Sequence, residues 1–100
     1  MNYYALEYSV VDDFINRRAP YRPPHLQLVR DAHARGDVLL AGALGDPPDG
    51  VLMIFRGDSP HVVEDFAQND PYVTNGLVVR WRVREWTTVV GEGASSPVRP

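Results

Sequence analysis

The chain has 100 residues, one domain's worth, and its 44% hydrophobic and 23% charged residues match ordinary globular proteins, pointing to neither disorder nor a membrane class. Thirteen acidic against ten basic residues give a net charge of -3, which supplies no general attraction to nucleic acid. There is no cysteine and every Lys/Arg position is arginine, so thiolate, disulfide, Schiff-base and phosphate-loop lysine chemistry are excluded, and acid-base work by His, Asp or Glu is left.

Tyr3 to Val11 is aromatic and β-branched without Gly or Pro, which predicts a first strand ending at Asp12-Asp13. From Arg17 to Pro24 the three prolines remove amide donors and bias their predecessors toward extended conformations, so a loop is expected there. A helix follows from His25 to Arg35, where Leu26, Val29 and Ala32 recur at helical spacing and Gly36 offers a stop. Val38 to Leu44 is almost wholly apolar, as a strand buried on both faces would be.

The turn formers from Gly45 to Gly50 lead into Val51 to Phe55, so the second and third strands should form a hairpin. Ser59-Pro60 signals a second helix with Val62, Val63, Phe66 and Ala67 as its apolar stripe, ending near Asp70-Pro71. From Leu77 to Val90 a long fourth strand is expected, with Leu77, Val79, Trp81 and Val83 on one face and Arg80, Arg82 and Arg84 on the other. Residues 1–90 then form a single domain, and 91–100 read as a disordered tail.

Strand, helix, strand, strand, helix, strand is the split βαβ order of an α+β, ferredoxin-like fold: a four-stranded antiparallel sheet with two helices on one face. The other sheet face is left uncovered, and a second copy packed sheet to sheet would cover it, so a homodimer is expected. No apolar run approaches the roughly 18 residues that span a bilayer, and the first residues lack the regions of a signal peptide, so a cytoplasmic protein without membrane contact is expected.

Arg22, His25-Leu26, Gly42, Asp70-Pro71-Tyr72 and Trp86 fall in the order seen in the YciI-like (YCII-related) family, which the chain resembles over roughly residues 3 to 90. The resemblance implies a dimeric α+β barrel and an active site built around His25 and Asp70. Pro23-Pro24, set directly against the histidine, departs from the family's pattern and could shape the pocket mouth differently.

At the first turn of a helix the macrodipole favours a neutral imidazole, which suits His25 to act as a general base; the bland alternative is a histidine that only satisfies loop amides. Asp70 could orient that imidazole, or simply form the turn that ends the second helix. Arg22 could hold an anionic substrate group, pair with Asp70, or be a solvated loop arginine. Asp12, and beside it Asp13, stand where sheets often place ligand groups, yet acidic pairs after strands are usually turn residues. Tyr72 and Tyr8 could stack on or donate to a ligand, or pack at the rim of a core.

The arginines at 80, 82 and 84 could line an anion pocket, form inter-subunit ion pairs or make one solvated face. His33 and His61 lack the i, i+4 partners of a helical metal site, so no metal ligand set is expected. The chain carries no serine elbow, dinucleotide fingerprint or phosphate loop, and no cofactor is required. Two functions remain in view: a small cofactor-independent enzyme of lyase or isomerase type, in which His25 and Asp70 act as an acid-base pair on a small organic molecule, or a non-catalytic dimeric module that binds a small ligand or a protein.

Overall fold

A computed structural model describes residues 1–98. The elements are β1 (Asn2–Val10), α1 (Phe14–Arg17), α2 (Arg22–Ala34), β2 (Val38–Leu44), β3 (Gly50–Gly57), α3 (His61–Asn69), α4 (Pro71–Thr74) and β4 (Val78–Trp86). They build one antiparallel sheet in the order β2-β3-β1-β4, the ferredoxin-like arrangement of an α+β protein.

Along β1 the side chains alternate. Tyr4, Leu6 and Tyr8 are buried, whereas Tyr3, Ala5, Glu7 and Ser9 face the other side. Leu6 stands between Met53 of β3 and Val83 of β4, and with Phe55, Val63, Phe66 and Ala67 these residues join the sheet to α3 in one core. The Phe55 and Phe66 rings meet edge on, 5.2 Å apart.

The loop expected over residues 17–24 is shorter in the structure. The first α2 turn begins at Arg22 and carries Pro23 and Pro24 within it, because first-turn amides have no intrahelical partner to lose. A further short helix, α1, precedes it. β2 is not buried on both faces: it is an edge strand, and only Val38 at its start is buried. In α3, Val62 points away from the core at 45% exposure while Val63, Phe66 and Ala67 carry the buried stripe.

The fourth strand is shorter than its apolar pattern suggested, and its alternation breaks at a bulge. Ser9 pairs with Arg80 but Val10 pairs with Val78, so Val79 has no partner on β1 and is 70% exposed. Beyond the bulge Trp81 and Val83 face the core, and Arg80, Arg82 and Arg84 lie with Glu7 on the opposite sheet face, where Arg82 Nη2 is 3.3 Å from Glu7 Oε2.

That opposite face also presents Leu40, Leu52, Ile54 and Trp86; no helix among the described residues covers it, and the turn at Gly93 meets it at Tyr3. Within 91–100, Arg99 and Pro100 lie outside the described residues. Before them the chain turns back on itself: Ser96 N donates to Thr88 O, Val98 N donates to Val89 O, and the Tyr3 hydroxyl donates to Gly93 O. Among the described residues no helix is long and apolar enough to cross a membrane.

Candidate functional site

Asp70 is the centre of the only buried polar cluster among the described residues. It is fully buried in the junction between α3 and α4, where Pro71 opens the new helix and the Asp70 carboxylate caps it by accepting from Tyr72 N at 3.0 Å. The Tyr8 hydroxyl, from the middle of the sheet, donates to Asp70 Oδ2 at 2.7 Å. From α2, His25 Nδ1 lies 2.8 Å from Oδ1 and 3.0 Å from Oδ2. A carboxylate offers only acceptors, so the shared proton sits on Nδ1, and Nε2 is left as the free acceptor of the neutral ring.

The orientation of His25 is fixed a second time by stacking. Its ring lies on that of Tyr72 with centroids 3.8 Å apart and planes 11° from parallel, and Phe14 closes edge on against Tyr72 at 5.3 Å. With the imidazole pinned by one hydrogen-bonded edge and one stacked face, rotation costs both interactions. His25 is 6% exposed and lines a cleft of ≈ 290 Å³ between the start of α2 and the middle of β2. Nε2 makes no hydrogen bond to the described residues, and it is not among the buried atoms left without a partner, so it reaches the open space of that cleft.

The β2 wall is made by Ala41, Gly42 and Ala43, none with a side chain beyond Cβ, which leaves the room on that side. Burial, then the neighbouring Asp70 charge, pushes the Tyr8 phenol far above its ordinary range, so Tyr8 keeps its proton and remains a donor. Burial also raises the Tyr72 phenol, against an opposing pull from the Arg18 and Arg22 guanidinium groups.

Arg22 and His25 of α2 and Tyr72 of α4 therefore meet at one cleft, with Asp70 buried behind His25. Asp12 does not join them: it is exposed on the turn after β1, beside Asp13, whose φ of 60° and contact with Asn16 Nδ2 at 2.6 Å mark a turn residue. His33 instead donates from Nδ1 to Val38 O at 2.8 Å, and His61 is exposed at the start of α3. Among the described residues no three His, Cys, Asp or Glu side chains group as metal ligands would.

The YCII-related domain matches residues 1–87, nearly the whole of the described chain. The chain belongs to the YCII-related family. This YCII-related chain also resembles solved structures at low identity. The 5-chloro-2-hydroxyhydroquinone dehydrochlorinase TftG of Burkholderia phenoliruptrix, solved with 2,5-dihydroxybenzoquinone, superposes with a TM-score of 0.72 at 19% identity, over 86% of this chain and 94% of that one. A protein of Agrobacterium tumefaciens superposes with a TM-score of 0.52 at 12% identity, over 95% and 98% of the two chains. At such identities the likeness is one of fold. Among curated proteins no match was found.

Phe14 and Arg18 were not singled out by the sequence as site residues, and Tyr8 was weighed there only as a ligand contact or rim residue, not as a partner of Asp70. Tyr8 carried no local sign that its hydroxyl would meet a residue 62 positions away. Phe14 and Arg18 did carry one: with Arg22, His25 and Val29 they repeat at intervals of four, four, three and four, the stripe of one helical face, hidden by the prolines that pointed to a loop.

Proposed function

We propose that this protein is a small cofactor-independent enzyme of lyase or isomerase type, in which His25 Nε2 moves a proton on a small organic substrate. The observation that carries the reading is the bond from His25 Nδ1 to the buried Asp70, which leaves Nε2 basic, oriented and open to a cleft. In this reading Nε2 takes a proton from a carbon next to a carbonyl, and the electron pair moves onto the carbonyl oxygen as an enolate. An isomerase returns the proton to a different atom; in a lyase that electron pair forms a new C=C bond while the leaving group departs from the next carbon with its own bonding pair. Asp70 stabilises the imidazolium formed between the two steps.

Arg22, at the mouth of the cleft, holds an anionic group of the substrate, and the His25–Tyr72 stack forms one wall against it. The dehydrochlorinase of like fold is named for an elimination, which is the lyase branch of this chemistry. The uncovered sheet face with Leu40, Leu52, Ile54 and Trp86 supports a homodimer formed sheet to sheet.

The test is a screen of small activated carbonyl acids and cyclic enols for proton exchange in deuterated water, repeated with His25→Ala. Exchange lost by at least about 10²-fold in a variant that stays folded supports the base assignment. Ligand binding with no exchange in either protein would instead favour the non-catalytic module.

A further inference from the structure

Arg18 and Arg22 are one helical turn apart across the α1–α2 junction. Arg22 N donates to Arg18 O at 2.8 Å, and both residues adopt, or directly adjoin, right-handed helical backbone. His25 follows three residues on, so Arg18, Arg22 and His25 share one face and all reach the same cleft.

Neither guanidinium has a carboxylate within ion-pair distance among the described residues, although the chain carries more acidic than basic residues. Arg18 is held over the Phe14 ring, its Cζ 5.4 Å from the centroid, so its stem is fixed while its donors stay available. Between the two arginines and His25 lies Tyr72, 2% exposed, whose hydroxyl is the one buried side-chain polar atom among the described residues left without a hydrogen-bond partner. That hydroxyl is closed off from the open space, so what Tyr72 offers the cleft is apolar ring surface.

We propose that Arg18 and Arg22 form an oxyanion-binding subsite beside His25, made for a small, single-ring or shorter organic molecule bearing a delocalised oxyanion. This rests on the reading of the cleft as a substrate site and names the class of molecule it takes. The two guanidinium groups supply charge and paired donors. The volume of ≈ 290 Å³ lies at the lower end for ligand pockets, and the Phe14, Leu26 and Val29 side chains along it suit an apolar body.

The experiment measures binding of benzoate, 4-nitrophenolate and neutral benzamide to the full chain by calorimetry and amide NMR. At least one anion should bind about tenfold or more tightly than benzamide, with affinity falling as salt rises. Which anion binds tells a carboxylate from an enolate-like site. Arg18→Gln, at a half-exposed position outside any ion pair among the described residues, should weaken that anion about tenfold with benzamide unchanged. His25→Asn should keep the anion affinity while losing proton exchange, which separates failure of the subsite from failure of the base. Equal binding of anions and benzamide, or unchanged affinity in Arg18→Gln, would overturn the subsite even if His25 proves catalytic.

Discussion

The Tyr8 hydroxyl of β1 donates to Asp70 Oδ2 at 2.7 Å, tying the centre of the sheet to the residue that holds His25. Tyr8 thus acts on the cleft through Asp70 and does not line it with His25. It is placed by a close backbone approach: a Cβ on Gly50 of the neighbouring strand would lie 2.9 Å from Tyr8 O, so glycine is needed there. Replacing Tyr8 by Phe removes one of the donors to a fully buried carboxylate and should cost about 1–3 kcal/mol of stability. If its role is positioning, turnover should fall mainly in kcat with KM little changed, and the imidazole resonances of His25 should move; a change in stability alone would assign Tyr8 to the core.

Asp70→Ala should be far more damaging than Asp70→Asn. Alanine leaves the Tyr8 hydroxyl, His25 Nδ1 and Tyr72 N without their shared acceptor and removes the α4 cap, a loss of roughly 3 kcal/mol or more in denaturant melts. Asparagine keeps an acceptor oxygen and the volume, so it should fold while disturbing the imidazole. Equal stability of the two variants would mean that the buried cluster contributes little to the fold.

Alkaline pH offers a separate test, because without lysine or cysteine the side chains that titrate on this limb are chiefly the five tyrosines. Tyr8 and Tyr72 are both raised by burial above the ordinary phenol value of 10.0. A raised phenol contributes its stability fully below the unfolded value and loses it as pH climbs toward the folded one. Stability should therefore hold to about pH 10 and then fall by up to about 1.4 kcal/mol per pH unit for each such phenol. Tyr8→Phe should flatten that slope; a wild-type chain with no alkaline loss would show the phenols to be accessible.

The proposed dimer is tested at Leu40, which is 74% exposed on the uncovered sheet face. Leu40→Glu touches little within the protomer, so its secondary structure should remain, while the charge placed in an apolar interface should dissociate the pair. Sedimentation velocity at micromolar concentration should give a dimer for the wild type and a monomer for the variant. A monomeric wild type would leave the sheet face without a second copy.

Strand order and the two main helices were legible because β1 is rich in aromatic and β-branched residues, β3 is an apolar run, and α3 carries an apolar stripe at helical spacing. The bulge at Val79 was not, since nothing in Leu77-Val78-Val79 distinguishes a paired valine from one bulged out of register. The edge position of β2 was hidden for a like reason: Leu39-Leu40-Ala41 is equally apolar whether a neighbour covers it or not. At the site, His25 and Asp70 are 45 residues apart, and a family resemblance, not periodicity, connected them. Arg18 was concealed because Pro20, Pro23 and Pro24 suggested an open loop, where the structure uses first-turn positions that need no amide donor.

The most direct test is the tautomer of His25, read from its ring nitrogens by ¹⁵N NMR at a pH where the ring is neutral, in the wild type and in Asp70→Asn. The expected result is a proton on Nδ1 and a bare, acceptor Nε2 in the wild type, with a mixed or reversed population in Asp70→Asn. A wild-type ring protonated on Nε2, or one indifferent to the Asp70 substitution, would contradict the assignment of His25 as a base held by Asp70.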